Sequence, residues 1–243
     1  MIIIPAIDIL DNEAVRLYKG DYSQKTVYSK APWELIMAFE KTGAKLVHIV
    51  DLNGARNASD TNRDTIIKMK KACPELKIEL GGGIRDMEKL KFYEGLGIDR
   101  FILGTAAVIY PDFLEAALKY VGKERLVVSV DAFEGIVRIA GWEEKTKLTY
   151  MDLMSKLSSQ GIQNIVFTDI SHDGTLSGPN LNSYREILDS FDFDLIASGG
   201  ISSMKDILDL TSLQAKKSLY GIITGKAIYE GRLNLQEAID STK

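Results

Sequence analysis

Leu80-Gly81-Gly82-Gly83-Ile84-Arg85 reads as an apolar strand end running into glycines, and the chain repeats it as Ser198-Gly199-Gly200-Ile201. Gly83 and Gly200 stand 117 residues apart, near half of the 243-residue chain. Three further matches keep the same order. Ala6-Ile7-Asp8-Ile9 returns as Ser129-Val130-Asp131-Ala132, Ile49-Val50-Asp51-Leu52 as Phe167-Thr168-Asp169-Ile170, and Leu103-Gly104-Thr105-Ala106 as Thr224-Gly225-Lys226-Ala227. Order and spacing together indicate two related half-units, roughly 1–122 and 123–243, each with an acidic residue after its first apolar run and glycines after its last two. Glycine lets backbone N–H groups approach phosphate oxygens with no Cβ in the way, and a following helix N-terminus adds favourable partial charge. A ligand with a phosphate at each end and chemistry in the middle fits this plan.

Working outward, eight strand-like runs lie near 2–8, 45–51, 77–81, 100–104, 125–131, 163–169, 193–198 and 219–224. Most are apolar almost throughout, as in Leu126-Val127-Val128-Ser129-Val130, which suits parallel strands buried on both faces. Amphipathic stretches separate them. Pro32 opens one helix and Gly43 closes it, Asp86 caps a second, and Ser202 or Ser203 caps the helix carrying Ile207 and Leu210. Strand and helix alternating eight times, with a half-length repeat, argue for a single (β/α)8 barrel over residues 1–243. A doubly wound sheet gives no reason for two equivalent halves.

Composition agrees. The chain is 45% hydrophobic and carries a net charge of −4, from 30 basic and 34 acidic residues. That balance favours neither nucleic acid nor a membrane surface as partner. No apolar run approaches the roughly 20 residues of a membrane span. The single Cys73 forms no internal disulfide and reads as structural; with no signal-like segment, a cytoplasmic protein is expected, as a monomer. Two separate histidines and no cysteine cluster give no metal-ligand pattern, and no cofactor is expected.

In such a barrel, functional groups belong at the C-terminal strand ends. Asp8, Asp51, Asp131 and Asp169 each end an apolar run. Asp8 and Asp131 occupy equivalent places across the mouth, where two carboxyl groups can divide the work of base and acid. Gly82, Gly83, Gly104 and Thr105 form one phosphate site; Gly199, Gly200, Gly225 and Lys226 form the other. Asp173-Gly174-Thr175 follows the sixth strand, its backbone and the Thr175 hydroxyl placed toward the mouth. The roughly twenty residues after the first strand, with Arg16 and Lys19-Gly20-Asp21-Tyr22, and the stretch Phe133–Thr149 after the fifth, with Gly141-Trp142, read as mobile loops. Trp142 is read as a cover over something flat. His48, inside the second strand, reads as a barrel-interior residue rather than a catalytic one; His172 is loop-borne.

These residues carry a family resemblance along the whole chain. Pro5-Ala6-Ile7-Asp8, Val15-Arg16-Leu17, Gly20-Asp21-Tyr22, His48–Ala55, Gly81–Arg85, Val130-Asp131, Gly141-Trp142, Thr168-Asp169-Ile170, Asp173-Gly174-Thr175, Ser198–Ile201 and Gly225-Lys226-Ala227 resemble the phosphoribosylformimino-5-aminoimidazole carboxamide ribotide isomerases of histidine biosynthesis. The resemblance implies an Amadori-type aminoaldose-to-aminoketose rearrangement of a bisphosphorylated substrate, without cofactor or metal. It implies Asp8 as base and Asp131 as acid, Thr168 and Asp173 assisting, with Asp173 the second candidate for the acid. Arg16, Asp51, Arg85, Trp142, Gly174 and Thr175 are further candidate substrate contacts beside the glycines and Lys226, with helix capping or a salt bridge the other reading of Asp51 and Asp169. One departure is Phe133 where many relatives carry an arginine, which speaks against a second substrate from the tryptophan pathway. Three other readings remain: the cyclase of the same pathway, whose expected Cys-Leu-Asp strand is replaced here by Ala6-Ile7-Asp8; a non-catalytic phosphosugar-binding barrel; and a barrel phosphotransferase or prenyl-transfer enzyme, whose Mg²⁺ site and long apolar groove the sequence does not show.

Overall fold

The computed structural model describes residues 1–18 and 20–242; Lys19, read above as part of a loop, lies outside the described residues. The described strands are β1 (Ile2–Leu10), β2 (Glu13–Tyr18), β3 (Asp21–Ser29), β4 (Leu46–Asp51), β5 (Lys77–Gly81), β6 (Arg100–Leu103), β7 (Leu126–Phe133), β8 (Ile136–Ile139), β9 (Glu144–Thr149), β10 (Asn164–Asp169), β11 (Asp194–Ser198) and β12 (Gly221–Thr224). Eight of them run parallel in the ring β1-β4-β5-β6-β7-β10-β11-β12, which closes where Ile2 of β1 pairs with Gly221 of β12. Helices lie between successive ring strands, giving the (β/α)8 barrel.

Strand alternation sorts the core into two layers. Ile4, Ala6, Leu46, Ile102, Val127, Val166, Ile196 and Ile223 fill the barrel interior. Residues of opposite parity, such as Ile3, Ile7 and Ile9, pack outward against the helices. Full burial of an aliphatic side chain of this size stabilises by about 1.5–3 kcal/mol, so the two layers dominate the fold's free energy. Local signals set the helix ends. Pro32 occupies the first turn of Pro32–Lys41, and Gly43, at φ +95°, turns the chain out of it. The Asp86 carboxylate accepts from Lys89 N at the start of Met87–Gly95, and Ser203 caps Met204–Thr211. Cys73 is buried at the end of Arg63–Ala72. Among the described residues, no helix is long and apolar enough to cross a membrane.

The two stretches expected as mobile loops are hairpins. Leu10 pairs with Glu13 across Asp11 and Asn12, whose φ values of +53° and +66° match a two-residue turn with both residues left-handed. Phe133 pairs with Ile136 across Glu134 and Gly135, at +49° and +80°. Each ring strand that carries Asp8 or Asp131 therefore folds back on itself three residues after the aspartate. β2 and β3 extend the first hairpin, β8 and β9 the second.

Candidate active site

The C-terminal ends of the ring strands open into one cavity, and both hairpins stand over it. Asp8 reaches the cavity from β1, and Asp131 reaches it from β7, four strands away around the ring of eight. Arg16 of β2 donates from Nη1 to Asp8 Oδ2 at 2.6 Å and from Nη2 to the Ala6 carbonyl at 2.9 Å. Ser129, two residues before Asp131 and on the same strand face, donates to its Oδ2 at 2.8 Å. Thr168 is in register with Asp131 on the neighbouring strand. Burial pushes the Asp131 carboxyl up, while the donors Thr168, Ser129 and Trp142 around it pull it back.

Asp173 joins them from the turn after β10. Burial pushes its carboxyl up to about 6; Arg16 and Lys226 oppose the shift, and the Asp8 and Asp131 charges add to it. Three carboxyl groups thus face one cavity with two cations beside them, and crowding of like charge disfavours ionising all three. Lys226 also donates to the Gly174 carbonyl at 2.9 Å, tying the turn after β10 to the turn after β12.

Both glycine sets line the cavity. Gly82 and Gly83 have φ of +100° and +74°, Gly199 and Gly200 of +94° and +79°. Cβ atoms here would strike backbone: 2.1 Å from the Asp51 carbonyl at Gly82, 2.4 Å from the Gly54 carbonyl at Gly83, 2.8 Å from the Asp169 carbonyl at Gly199 and 2.5 Å from the Gly178 carbonyl at Gly200. Gly104 differs, since its Cβ would meet nothing nearer than 3.8 Å. Thr105 follows it at the start of a short helix and accepts from Ala140 N at 2.8 Å. Arg85 lines the cavity and donates to the Ala55 carbonyl at 2.7 Å.

Trp142 lies in the β8–β9 turn with φ +74°, between Gly141 and the start of β9. Left-handed backbone at a tryptophan is strained, at about 1–3 kcal/mol, and such strain collects at functional sites. Its ring packs on Gly20 of the β2–β3 turn, where a Cβ would sit 2.4 Å from Cε3. Arg56 bridges the same two hairpins, with Nε 3.2 Å from Glu143 Oε1 and its guanidinium carbon 4.8 Å from the Tyr22 ring centre.

Two residues expected to contact substrate do not line the cavity. Asp51 is buried beneath it, where its Oδ1 accepts from Gly54 N at 2.9 Å and from Asn62 Nδ2 at 2.7 Å. It caps the helix Leu52–Asn57 and holds the floor under Gly82. Thr175 turns away, donating to the His172 carbonyl at 2.6 Å, while Gly174 and Leu176 on either side face inward. His172 fixes the same turn through the Gly178 carbonyl, 2.8 Å from Nδ1. Conversely, Ser129, Tyr22 and Arg138 line the cavity without having been singled out as contacts, and so does His48, expected only as an interior residue. The period of two on β7 marks Ser129, and the Ala6–His48 register marks His48; Tyr22 belongs to the mostly exposed β3, and Arg138 to β8, a strand of only four residues.

Fold and cavity define a (β/α)8 barrel whose mouth sets carboxyl groups between two glycine turns. The profile of the histidine biosynthesis protein family matches residues 2–234, and the chain belongs to that family. It is 50% identical over 240 residues to a protein of Leptospira biflexa named 1-(5-phosphoribosyl)-5-((5-phosphoribosylamino)methylideneamino) imidazole-4-carboxamide isomerase, covering 98% of this chain and 96% of that one. Proteins of the same name from Lactococcus lactis subsp. cremoris and Trichlorobacter lovleyi are 48% identical over 238 residues and 43% over 244. These alignments cover 98% and 100% of this chain and 95% and 98% of theirs.

Proposed function

We propose that this chain is an aldose–ketose isomerase of histidine biosynthesis. It converts the phosphoribosylamino arm of a bisphosphorylated imidazole carboxamide ribotide into the ribulosyl arm by an Amadori-type rearrangement. The observation that carries the reading is the placement of Asp8 and Asp131 on opposite strands of one cavity, with a glycine turn on either side. Each half of the barrel, roughly 1–122 and 123–243, contributes one carboxyl group and one turn set.

The turns at Gly82-Gly83 with Gly104-Thr105, and at Gly199-Gly200 with Gly225-Lys226, hold the two phosphates. C1 and C2 of the ribosyl arm then lie between the carboxyl groups, which turns the encounter into an intramolecular problem. Asp131 donates a proton to the furanose ring oxygen. The exocyclic nitrogen pushes its lone pair into a C1=N iminium while the C1–O bond breaks. Asp8 removes the C2 proton, and those C–H electrons form the enolamine as nitrogen recovers its pair. Protonation at C1 and loss of the C2 hydroxyl proton leave the ketone. No electrons leave the substrate.

The environments suit these roles. The ion pair with Arg16 matches the base form of Asp8. Burial raises Asp131 and Asp173 toward the range where a carboxylic acid donates near neutrality. Asp131 is assigned the donor and Asp173 the second acid, with Thr168 beside Asp131. Trp142 covers the imidazole and excludes water.

The test is incubation of the purified chain with the aminoaldose, following absorbance and identifying the product by NMR. Formation of the ketose supports the reading. Tight binding without turnover supports the phosphosugar-binding alternative, and consumption of the ketose, supplied separately with ammonia, supports the cyclase.

A further inference from the structure

Barrel interiors are filled by branched aliphatic side chains, yet three polar residues stand side by side across β4, β5 and β6. His48 is in register with Glu79, and Glu79 with Arg100. Glu79 is completely buried. Its Oε1 lies 2.8 Å from His48 Nδ1, and its Oε2 lies 3.1 Å from Arg100 Nη1. Arg100 Nη2 donates to Asn164 Oδ1 at 2.8 Å, and Asn164 is held in turn by the Lys123 carbonyl at 2.6 Å. The chain of contacts starts under the mouth, at a residue that lines it, and ends at the opposite end of the barrel.

Stability alone does not call for this arrangement. Buried ion pairs are often no better than well-packed apolar residues of the same volume, because two charges lose their water. Their best-attested benefit is to fix one arrangement of neighbouring groups, and here the neighbour is an imidazole facing the cavity. A carboxylate paired with a guanidinium can only accept, so the contact to Glu79 requires His48 Nδ1 to carry a proton. In the neutral ring the lone pair is then on Nε2, the nitrogen turned away from Glu79.

We propose that Glu79, itself held by Arg100, is a positioning residue that fixes His48 in the Nδ1–H tautomer, so that Nε2 meets the ribosyl hydroxyls beside Asp131 as a hydrogen-bond acceptor. The inference rests on the isomerase reading for its kinetic consequence but not for its tautomer. Ser129 donates to Asp131, whereas His48 supplies an acceptor. A sugar hydroxyl bound between an acid and an imidazole lone pair has one orientation.

The chain contains two histidines, so ¹⁵N NMR of imidazole-labelled protein gives two sets of signals, and His48→Asn assigns them. The expected result is that neutral His48 is protonated at Nδ1 and His172 is unaffected by changes at Glu79. Because removing Glu79 alone strands the Arg100 charge, two paired variants are compared. Glu79→Gln with Arg100→Met keeps an acceptor for Nδ1–H; Glu79→Leu with Arg100→Met removes it. The first is expected to keep the tautomer and a kcat within about threefold of the parent. The second is expected to lose the tautomer and, with KM almost unchanged, to lose roughly tenfold or more in kcat, as His48→Asn does. Neutral His48 protonated at Nε2 in the unaltered chain overturns the proposal whatever its activity. So does parental kcat in His48→Asn, which needs no change in the buried pair. An unaltered chain that shows the Nδ1–H tautomer but no turnover overturns the isomerase reading and leaves the tautomer assignment standing.

Discussion

The guanidinium of Arg16 lies directly over Gly225: a Cβ on that glycine would stand 1.5 Å from Nη2. Since Arg16 also pairs with Asp8, a residue of the β12 turn and the carboxylate on β1 are coupled through one side chain. Gly225→Ala is expected to fold normally, because the obstructed group is the end of a flexible side chain. It should displace Arg16, lowering kcat as Asp8 loses its partner and raising KM as the turn is crowded. Steady-state kinetics beside a melting curve checks this; normal kinetics in the folded variant would break the coupling.

The remaining glycines separate into two kinds. Gly83→Ala and Gly200→Ala drive a Cβ into the Gly54 and Gly178 carbonyls from left-handed backbone, and both should lower Tm substantially. Gly104→Ala has room and an ordinary φ of −99°, so it should fold normally and raise KM several-fold if a phosphate rests on that turn. Unchanged KM in Gly104→Ala would remove Gly104 from the phosphate site.

This division shows where the sequence stops being readable. The ring strands and helix caps are legible because burial on both faces and short-range capping leave strong local marks. The hairpins are not: β3 and β9 are mostly exposed, so no alternation of apolar residues announces them. Only Asp11, Asn12 and Gly135 in their turns carry a signal, as residues that tolerate or favour positive φ. Asp51 shows a different limit. Ending an apolar run places a carboxylate near the mouth, but one residue of rotation decides whether it faces the cavity or caps its own helix. Similarly, a lone Glu79 inside Lys77-Ile78-Glu79-Leu80-Gly81 gains its meaning only when the neighbouring strands bring His48 and Arg100 beside it.

Trp142→Ala should lower kcat/KM while leaving Tm nearly unchanged, since the ring sits between two hairpins rather than in either core layer. A stacked aromatic contact contributes on the order of 1 kcal/mol beyond its buried area, or about a fivefold effect on binding. Trp142→Gly sharpens the test. Glycine adopts φ +74° without strain, so this variant should be at least as stable as the parent and equally impaired. A large fall in Tm with normal kinetics would make the tryptophan a packing residue.

Burial of Asp173 gives a pH signature in stability. Its carboxyl goes from an ordinary 3.8 in the unfolded chain to about 6 in the fold. The folded state therefore holds the proton more tightly. The stability this contributes is complete below about pH 4 and is lost as pH rises through about 6. Asp173→Asn should accordingly raise Tm at pH 7.5 and change it little at pH 4. Equal shifts at both pH values would mean that the carboxyl is not perturbed in the fold.

The catalytic assignment is the most exposed of these expectations. Asp8→Asn and Asp131→Asn keep shape and most hydrogen bonds but cannot transfer the proton, and loss of a positioned acid or base typically lowers the rate by roughly 10²–10⁴. KM should move far less if the proposed phosphate turns provide most of the grip. The two losses should not add fully, since both groups serve one reaction. The kcat profile of the parent should be bell-shaped. Its limb at high pH reports the proton on the acid, which burial raises, and it should vanish in Asp131→Asn; the low-pH limb should vanish in Asp8→Asn. Asp173 is the competitor, with its own raised carboxyl facing the same cavity. If Asp131→Asn retains most activity and Asp173→Asn abolishes it, the acid is Asp173. Asp131, with Ser129 donating to it and Thr168 in register beside it, then serves as a carboxylate that orients the substrate, and the equivalence of strands β1 and β7 does not extend to their chemical roles.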